Sequence, residues 1–224
     1  MLEIGPGTGK ATRQLLSAGA SSILAIEPSP SLARYLRARS RRFPGRVDVQ
    51  IAGFEEVRLP GHHFDLVVAA TSFHWLDERR ALRKVARVLK PGGWWAAWWN
   101  HHGDPFQPSP LSREVHEILG EPGTTWEEWV RRSREQAVRE RERRLTLLRS
   151  EGLFDRISFE EIRWRVRLST AHVRGLWSTF SEVATLPARK RLRLLASLAE
   201  VIDERFNGGI QFPVVTPVYT ARRP

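Results

Sequence analysis

At 224 residues the chain is long enough for one sizeable α/β domain and too short for two comfortable ones, and its 41% hydrophobic content with nine Trp is enough for a real core. Charges interrupt every apolar stretch before it reaches membrane-spanning length, the first residues do not read as a secretory signal, and zero cysteine excludes disulfides and thiolate metal sites, a pattern that fits a cytoplasmic protein. The 36 basic and 25 acidic residues leave a net charge of +11; since Lys occurs only at 10, 84, 90 and 190 and the 32 Arg are spread along the chain among Glu, we read a solvated surface rather than a nucleic-acid track.

The chain is organised around Met1–Thr12, MLEIGPGTGKAT. Leu2 and Ile4 are strand formers, Gly5-Pro6-Gly7-Thr8-Gly9 is a tight turn, and Lys10–Ala18 suits a helix with Ala11, Leu15, Leu16 and Ala18 apolar. Strand, glycine turn and helix make the first half of a nucleotide-binding βα unit, where the backbone must turn sharply and approach a ligand without a Cβ in the way. Spacing separates three similar motifs. The dinucleotide fingerprint G-x-G-x-x-G needs glycine at position 10, where Lys10 stands. The phosphate loop G-x-x-x-x-G-K-[ST] fails at Ile4 and at Ala11. What remains is acidic-x-G-x-G-x-G, made of Glu3, Gly5, Gly7 and Gly9, competing with a plain structural glycine turn. The pattern resembles motif I of the class I S-adenosylmethionine-dependent methyltransferases. Central parallel strands are usually apolar on both faces, so Glu3 calls for a reason.

Ser21–Ile26 reads as the second strand, ending at Glu27 before a Pro28-Ser29-Pro30 loop. Ser31 is the expected cap of a helix over Leu32–Arg42 through Leu32, Tyr35 and Leu36. An acid at this strand end, roughly 20 residues beyond the glycine turn, is placed to hold ribose hydroxyls; the alternative is an exposed strand-end acid. Glu27→Ala is expected to weaken cofactor binding with little loss of stability. Val47–Ile51 is the third strand, followed by Ala52-Gly53-Phe54-Glu55-Glu56.

Phe64–Ala70, FDLVVAA, reads as a buried parallel strand running into Thr71-Ser72-Phe73-His74-Trp75-Leu76-Asp77. A helix over Glu78–Leu89 follows, stopped by Lys90-Pro91-Gly92-Gly93, and then a strand over Trp94–Trp99 whose Trp residues we read as core. The pattern F-D-L-V-V-A-A-x-x-F-H-W-L-D with L-K-P-G-G is similar to the same superfamily, and its F-H-W form is most similar to the trans-aconitate methyltransferase-like branch (methyltransferase type 11), which acts on small molecules. The resemblance covers Met1 to about Asn100. It implies a Rossmann-like, doubly wound sheet of seven mostly parallel strands with helices on both faces. It also implies S-adenosyl-L-methionine as cofactor, held by Glu3, Gly5, Gly7, Thr8, Gly9, Glu27, Pro28, Phe54, Glu55, Ala70 and Thr71. In this family the loop after the third strand cradles adenine, with Phe54 as ring cover and Glu55 as polar neighbour; a core role competes for Phe54.

From His101 to Gln136 the character changes, with breaks at Gly103-Asp104-Pro105, Pro108-Ser109-Pro110 and Glu121-Pro122-Gly123. Leu111–Leu119 suits a short helix, and Trp126, Trp129 and Val130 have helical spacing. An insertion after the fifth strand lies at the carboxyl edge of the sheet, so residues 101–136 are read as a lid on a single domain over 1–224. Arg139–Arg144 reads as a solvated helix closed over Leu145–Phe154, Glu161–Leu168 as a half-exposed strand, Thr170–Leu186 and Ala188–Phe206 as helices, and Ile210–Ala221 as the last strand.

If the acceptor of a methyl group is a hydroxyl or amine, a base helps, and His74 is the best-placed candidate. We favour the plainer reading that His74 and Trp75 shape the pocket. His101 and His102 are weaker candidates, and no metal is expected because the seven His show no H-E-x-x-H pattern. The function expected is methylation of a small molecule. The alternatives are a tRNA or rRNA methyltransferase and a non-catalytic protein that binds S-adenosylmethionine. Met1 falls directly at the first strand, so the chain is expected to be N-terminally shortened, with a more open cofactor cleft than its family.

Overall fold

The computed structural model describes residues 1–119 and 123–224, so the break read at Glu121-Pro122 lies outside the described residues. These residues form two compact units. The first holds Met1–Asn100, Glu142–Glu161 and Pro217–Pro224, and the second holds His101–Arg141 and Ile162–Thr216. The strands are β1 (Leu2–Ile4), β2 (Ile23–Glu27), β3 (Val47–Ile51), β4 (Phe64–Ala70), β5 (Leu89–Trp98), β6 (His101–His102), β7 (Asp155–Ser169) and β8 (Gly209–Arg222). Counting the two-residue β6, eight strands take part in sheet pairing where seven were expected.

In the first unit the order is β3-β2-β1-β4-β5, all parallel, and the C-terminal half of β8 adds antiparallel to β5. Strand periodicity sends alternate residues to opposite faces. Ile23 and Ala25 of β2 meet Val49 of β3, Leu16 of α1 (Lys10–Ser17), and Ala33 and Leu36 of α2 (Pro30–Ser40). Leu24 and Ile26 of the same strand belong to the other face, with Leu2, Ile4, Val67 and Trp95. That face is covered by Ala81, Leu82 and Val85 of α3 (Glu78–Val88) and by Leu145 and Leu148 of α5 (Trp126–Ser150). Each fully buried Leu, Ile or Val contributes about 1.5–3 kcal/mol, so the sheet is stabilised from both sides.

Local chemistry explains where elements begin. Helix α2 starts two residues before the expected Leu32, because Ser29, not Ser31, is the cap: its Oγ accepts the Leu32 N–H at 3.4 Å, and Pro30 sits where its missing N–H costs nothing. Asp77 caps α3, accepting the Arg80 N–H at 3.1 Å. Beyond α3 the chain enters β5 at once. Leu89 pairs with Phe64 and the next pair is Leu66 with Trp94, so Lys90–Gly93 bulges out of the ladder instead of forming a separate loop. Not every Trp of this strand is core: Trp95 is 1% exposed but Trp94 is 37% exposed, as alternation requires.

The second unit packs α4 (Pro110–Leu119), α6 (Thr170–Ser178), α7 (Ser181–Ala184) and α8 (Ala188–Phe206) with strand residues of β7 and β8 around Leu111, Val173, Trp177, Leu198, Ile202 and Phe212. Its β6 pairs antiparallel with Val214 and Val215 of β8. The single helix read over Thr170–Leu186 is two, α6 and α7. Leu192, expected in the apolar stripe of α8, is exposed. Helix α5 is one continuous 25-residue element. It carries the Arg131–Glu135 and Arg132–Glu128 pairs at 2.7 and 2.6 Å on its exposed part. The solvated reading of Arg139–Arg144 is corrected at its last residue: Arg144 is buried, its guanidinium 3.5 Å from the Trp99 ring centre. Among the described residues no helix is long and apolar enough to cross a membrane.

Candidate functional site

The sheet order runs outward from β1 to β2 and β3, then returns to β4 on the other side of β1. Connections leaving β1 and β4 therefore diverge, which opens a crevice at their carboxyl ends. The glycine turn, Glu27 and Thr71–Trp75 all follow carboxyl ends of these strands, within the first unit.

Gly5, Gly7 and Gly9 have φ of 63°, 57° and 75°, the left-handed region that favours glycine. Gly5 is also pressed sideways, since a Cβ there would lie 2.6 Å from the Ser72 Cβ. Ser72 Oγ donates to the Ile4 carbonyl, so the end of β4 is tied to the start of the glycine turn. Around Gly7 nothing stands within 4 Å of a Cβ position, leaving its backbone open to a ligand.

Glu3 is fully buried. Leu2 and Ile4 point to the α3 face, so Glu3 points to the α1 face, where its Oε2 accepts the Thr12 hydroxyl at 2.6 Å. Its Oε1 is buried without a hydrogen-bond partner. Burial, only partly offset by the Thr12 bond, pushes the Glu3 carboxyl up to about 7.

Glu27 is 4% exposed. Oε2 accepts the Gly7 N–H and Oε1 the Ser29 N–H, both at 2.9 Å. The carboxylate therefore orients the glycine turn as well as facing it. This corrects the expectation that Glu27→Ala leaves stability intact: the truncation would strand two N–H groups, at about 1–3 kcal/mol each where they stay dry.

Thr8, Pro28 and Thr71 are exposed, and Ala70 and Glu55 half-buried, at the same strand ends. Thr71 has φ of 56° and donates its N–H to the Trp98 carbonyl at 2.8 Å. Phe54, expected to cover an adenine, is instead packed in the core at 2% exposure, with Lys84 Nζ 5.1 Å from its ring centre. Lys84 also donates to the Glu55 and Val57 carbonyls, at 3.1 and 2.5 Å, which holds that turn closed over the ring.

His74 is exposed on a single 3-10 turn, Phe73–Trp75. Its Nδ1 accepts the Trp99 indole N–H at 3.0 Å. An indole nitrogen can only donate, so Nδ1 carries the lone pair and Nε2 the proton. A base needs an unprotonated nitrogen facing the acceptor, and here that nitrogen is turned to Trp99; the candidate base role is corrected on this ground. His102, in the second unit, packs its ring 5.3 Å from Phe180 and 5.9 Å from Phe212. Sequence reasoning missed Thr12, Ser72 and Trp99, none of which has a periodic or motif signal.

Residues 2–97 match the family described as a methyltransferase domain. The chain belongs to the class I S-adenosylmethionine-dependent methyltransferase superfamily. An uncharacterized methyltransferase of Mycobacterium tuberculosis is 29% identical over 220 residues, 96% of this chain and 80% of its own length. A putative type II methyltransferase of Anaeromyxobacter dehalogenans has the same fold, with a TM-score of 0.61 at 20% identity, over 99% of this methyltransferase and 88% of its own chain. A Haemonchus contortus phosphoethanolamine N-methyltransferase, solved with phosphomonomethylethanolamine and S-adenosylhomocysteine, is similar in fold at a TM-score of 0.55 and 16% identity, covering 100% of this chain and 48% of that one.

Proposed function

We propose that this methyltransferase uses S-adenosylmethionine to methylate a small-molecule acceptor in the cytoplasm. The observation that carries the reading is the Glu27 carboxylate, buried at the switch point and bonded to the N–H of Gly7. Each of its oxygens holds one N–H and keeps a second lone pair, which suits the two hydroxyls of a ribose and repels a 2′-phosphate. The open backbone at Gly7 and the unpartnered Glu3 Oε1 fit the polar remainder of the cofactor. Glu3, Gly5, Gly7, Thr8, Gly9, Glu27, Pro28, Glu55, Ala70 and Thr71 form the proposed binding set; Phe54 is left out because its ring lies in the core.

When bound, the cofactor supplies a methyl group already activated by its sulfonium. The chain then has to bind, orient and exclude water. Glu27 orients the ribose, the glycine turn admits the cofactor against the backbone, and Ser72 holds β4 against that turn. A small acceptor is favoured over RNA because several Arg are engaged within the fold. Arg79 and Arg83 pair with Glu151, Arg163 with Asp104, and Arg205 with Glu114.

Calorimetry with S-adenosylhomocysteine tests the reading. Glu27→Gln keeps one acceptor oxygen, so it should remain folded while affinity falls about 10- to 100-fold, the range for charge-assisted bonds worth about 1.5–3 kcal/mol. Unchanged affinity in the folded variant, or binding of NAD in place of S-adenosylhomocysteine, would overturn it. Methyl-labelled S-adenosylmethionine offered with a metabolite extract and with total RNA separates the acceptor classes.

A further inference from the structure

We infer that Trp99 is a positioning residue that locks His74 as an Nε2–H donor at the carboxyl edge of β4, so the methyl acceptor is a nucleophile already unprotonated at working pH and oriented by accepting from His74. This rests on the proposed methyltransferase site, but its first test does not. His74 lies two residues beyond Ser72, whose side chain touches Gly5 and bonds Ile4, so the 3-10 turn adjoins the glycine turn.

The lock is built from buried groups. Trp99 is 5% exposed, and its indole meets Tyr219 edge-on, with ring centres 5.8 Å apart at 80°. On the indole face lies the Arg144 guanidinium at 3.5 Å, itself 8% exposed and 3.8 Å from Glu78 Oε1. The plane of the indole is thus fixed by contacts on its face and edge, and its N–H has one direction to point, onto His74 Nδ1 at 3.0 Å. A neutral imidazole whose Nδ1 accepts must carry its proton on Nε2. Protonating Nδ1 would set two N–H groups against each other, and moving the proton from Nε2 to Nδ1 would do the same. His74 is therefore held in one tautomer, able to donate but not to take a proton from an acceptor.

Two experiments decide this. Long-range nitrogen–proton NMR of the full chain, alone and with S-adenosylhomocysteine, should show His74 with a pyridine-like Nδ1 and a pyrrole-like Nε2. Trp99→Phe, which keeps the apolar contact and the Arg144 stack, should turn that signature into a tautomer mixture. A wild-type His74 that is mixed or protonated on Nδ1, or a folded Trp99→Phe with the signature unchanged, overturns the lock. In the second experiment, labelled methyl transfer into a metabolite extract is compared for His74→Gln and His74→Ala. The Gln side chain places an N–H near the Nε2 position and cannot act as a base. It should keep at least a third of wild-type transfer at unchanged S-adenosylhomocysteine affinity, while Ala loses more than tenfold. Equal loss in both variants overturns the donor role. Failure of the wild type to bind S-adenosylhomocysteine defeats the proposed function but leaves the tautomer result standing.

Discussion

Replacing Glu3 by Gln removes a dependence of stability on pH that the wild-type chain shows between about 4.5 and 7. The native carboxyl is raised from 4.5 to about 7, first by burial, with the Thr12 bond pulling the other way. A raised acid binds its proton more tightly in the folded state, so its stabilising contribution is complete below the unfolded value of 4.5 and is lost as pH climbs through about 7. The shift of roughly 2.5 units corresponds to about 3 kcal/mol between the two ends of that window. Glutamine keeps an oxygen for the Thr12 hydroxyl and carries no charge at any pH. Urea melts at pH 5 and pH 8 should show the wild type losing about 3 kcal/mol between them and Glu3→Gln losing much less. Parallel losses in the two proteins would show that Glu3 is ionised in the native state throughout.

Gly5→Ala should be the most damaging single methyl in the glycine turn. At φ of 63° the left-handed backbone costs an L-residue about 1–2 kcal/mol. The new Cβ would also stand 2.6 Å from the Ser72 Cβ, whose hydroxyl is bonded to Ile4, and overpacking of this kind costs about 1–3 kcal/mol. Together the loss is about 2–5 kcal/mol. Gly7→Ala is the internal control. Its φ is 57°, but nothing lies within 4 Å of the added atom, so only the backbone cost applies. Equal melting temperatures for the two variants would show that the Ser72 contact gives way without cost.

Much of this was legible in the chain. VDVQI and FDLVVAA match β3 and β4 to the residue because alternating or continuous apolar runs between glycines and prolines define a strand at both ends. Helix α8 matches too, closed by Asn207 in the left-handed conformation. The acid at Glu27 was legible because a strand end beside a glycine turn has few other uses for a buried carboxylate. What escaped the reading came from tertiary contact. Ser72 bonds a carbonyl 68 residues away, and no local pattern marks it. Arg144 sits in a run of charges that looks uniformly solvated, yet one member of a helical run must face inward when the helix packs on a sheet, and this one lies on Trp99. Phe54 was balanced between ligand and core on sequence grounds, and the Lys84 clamp on its turn decided for the core.

The path of the chain through the first unit bears on its synthesis. Residues 1–100 carry all five parallel strands, but β5 gains its outer neighbour only from Val218–Arg222. A ribosome would therefore have made β5, with its WWAAW run, more than a hundred residues before the strand that shields it. During that interval β5 is a bare, aromatic sheet edge, the kind that pairs with neighbouring chains. The bulge at Lys90–Gly93, with a lysine and a proline at its start, interrupts that edge at one end. Nascent chains of this protein would thus depend on a holding chaperone for the time it takes to translate residues 101–222.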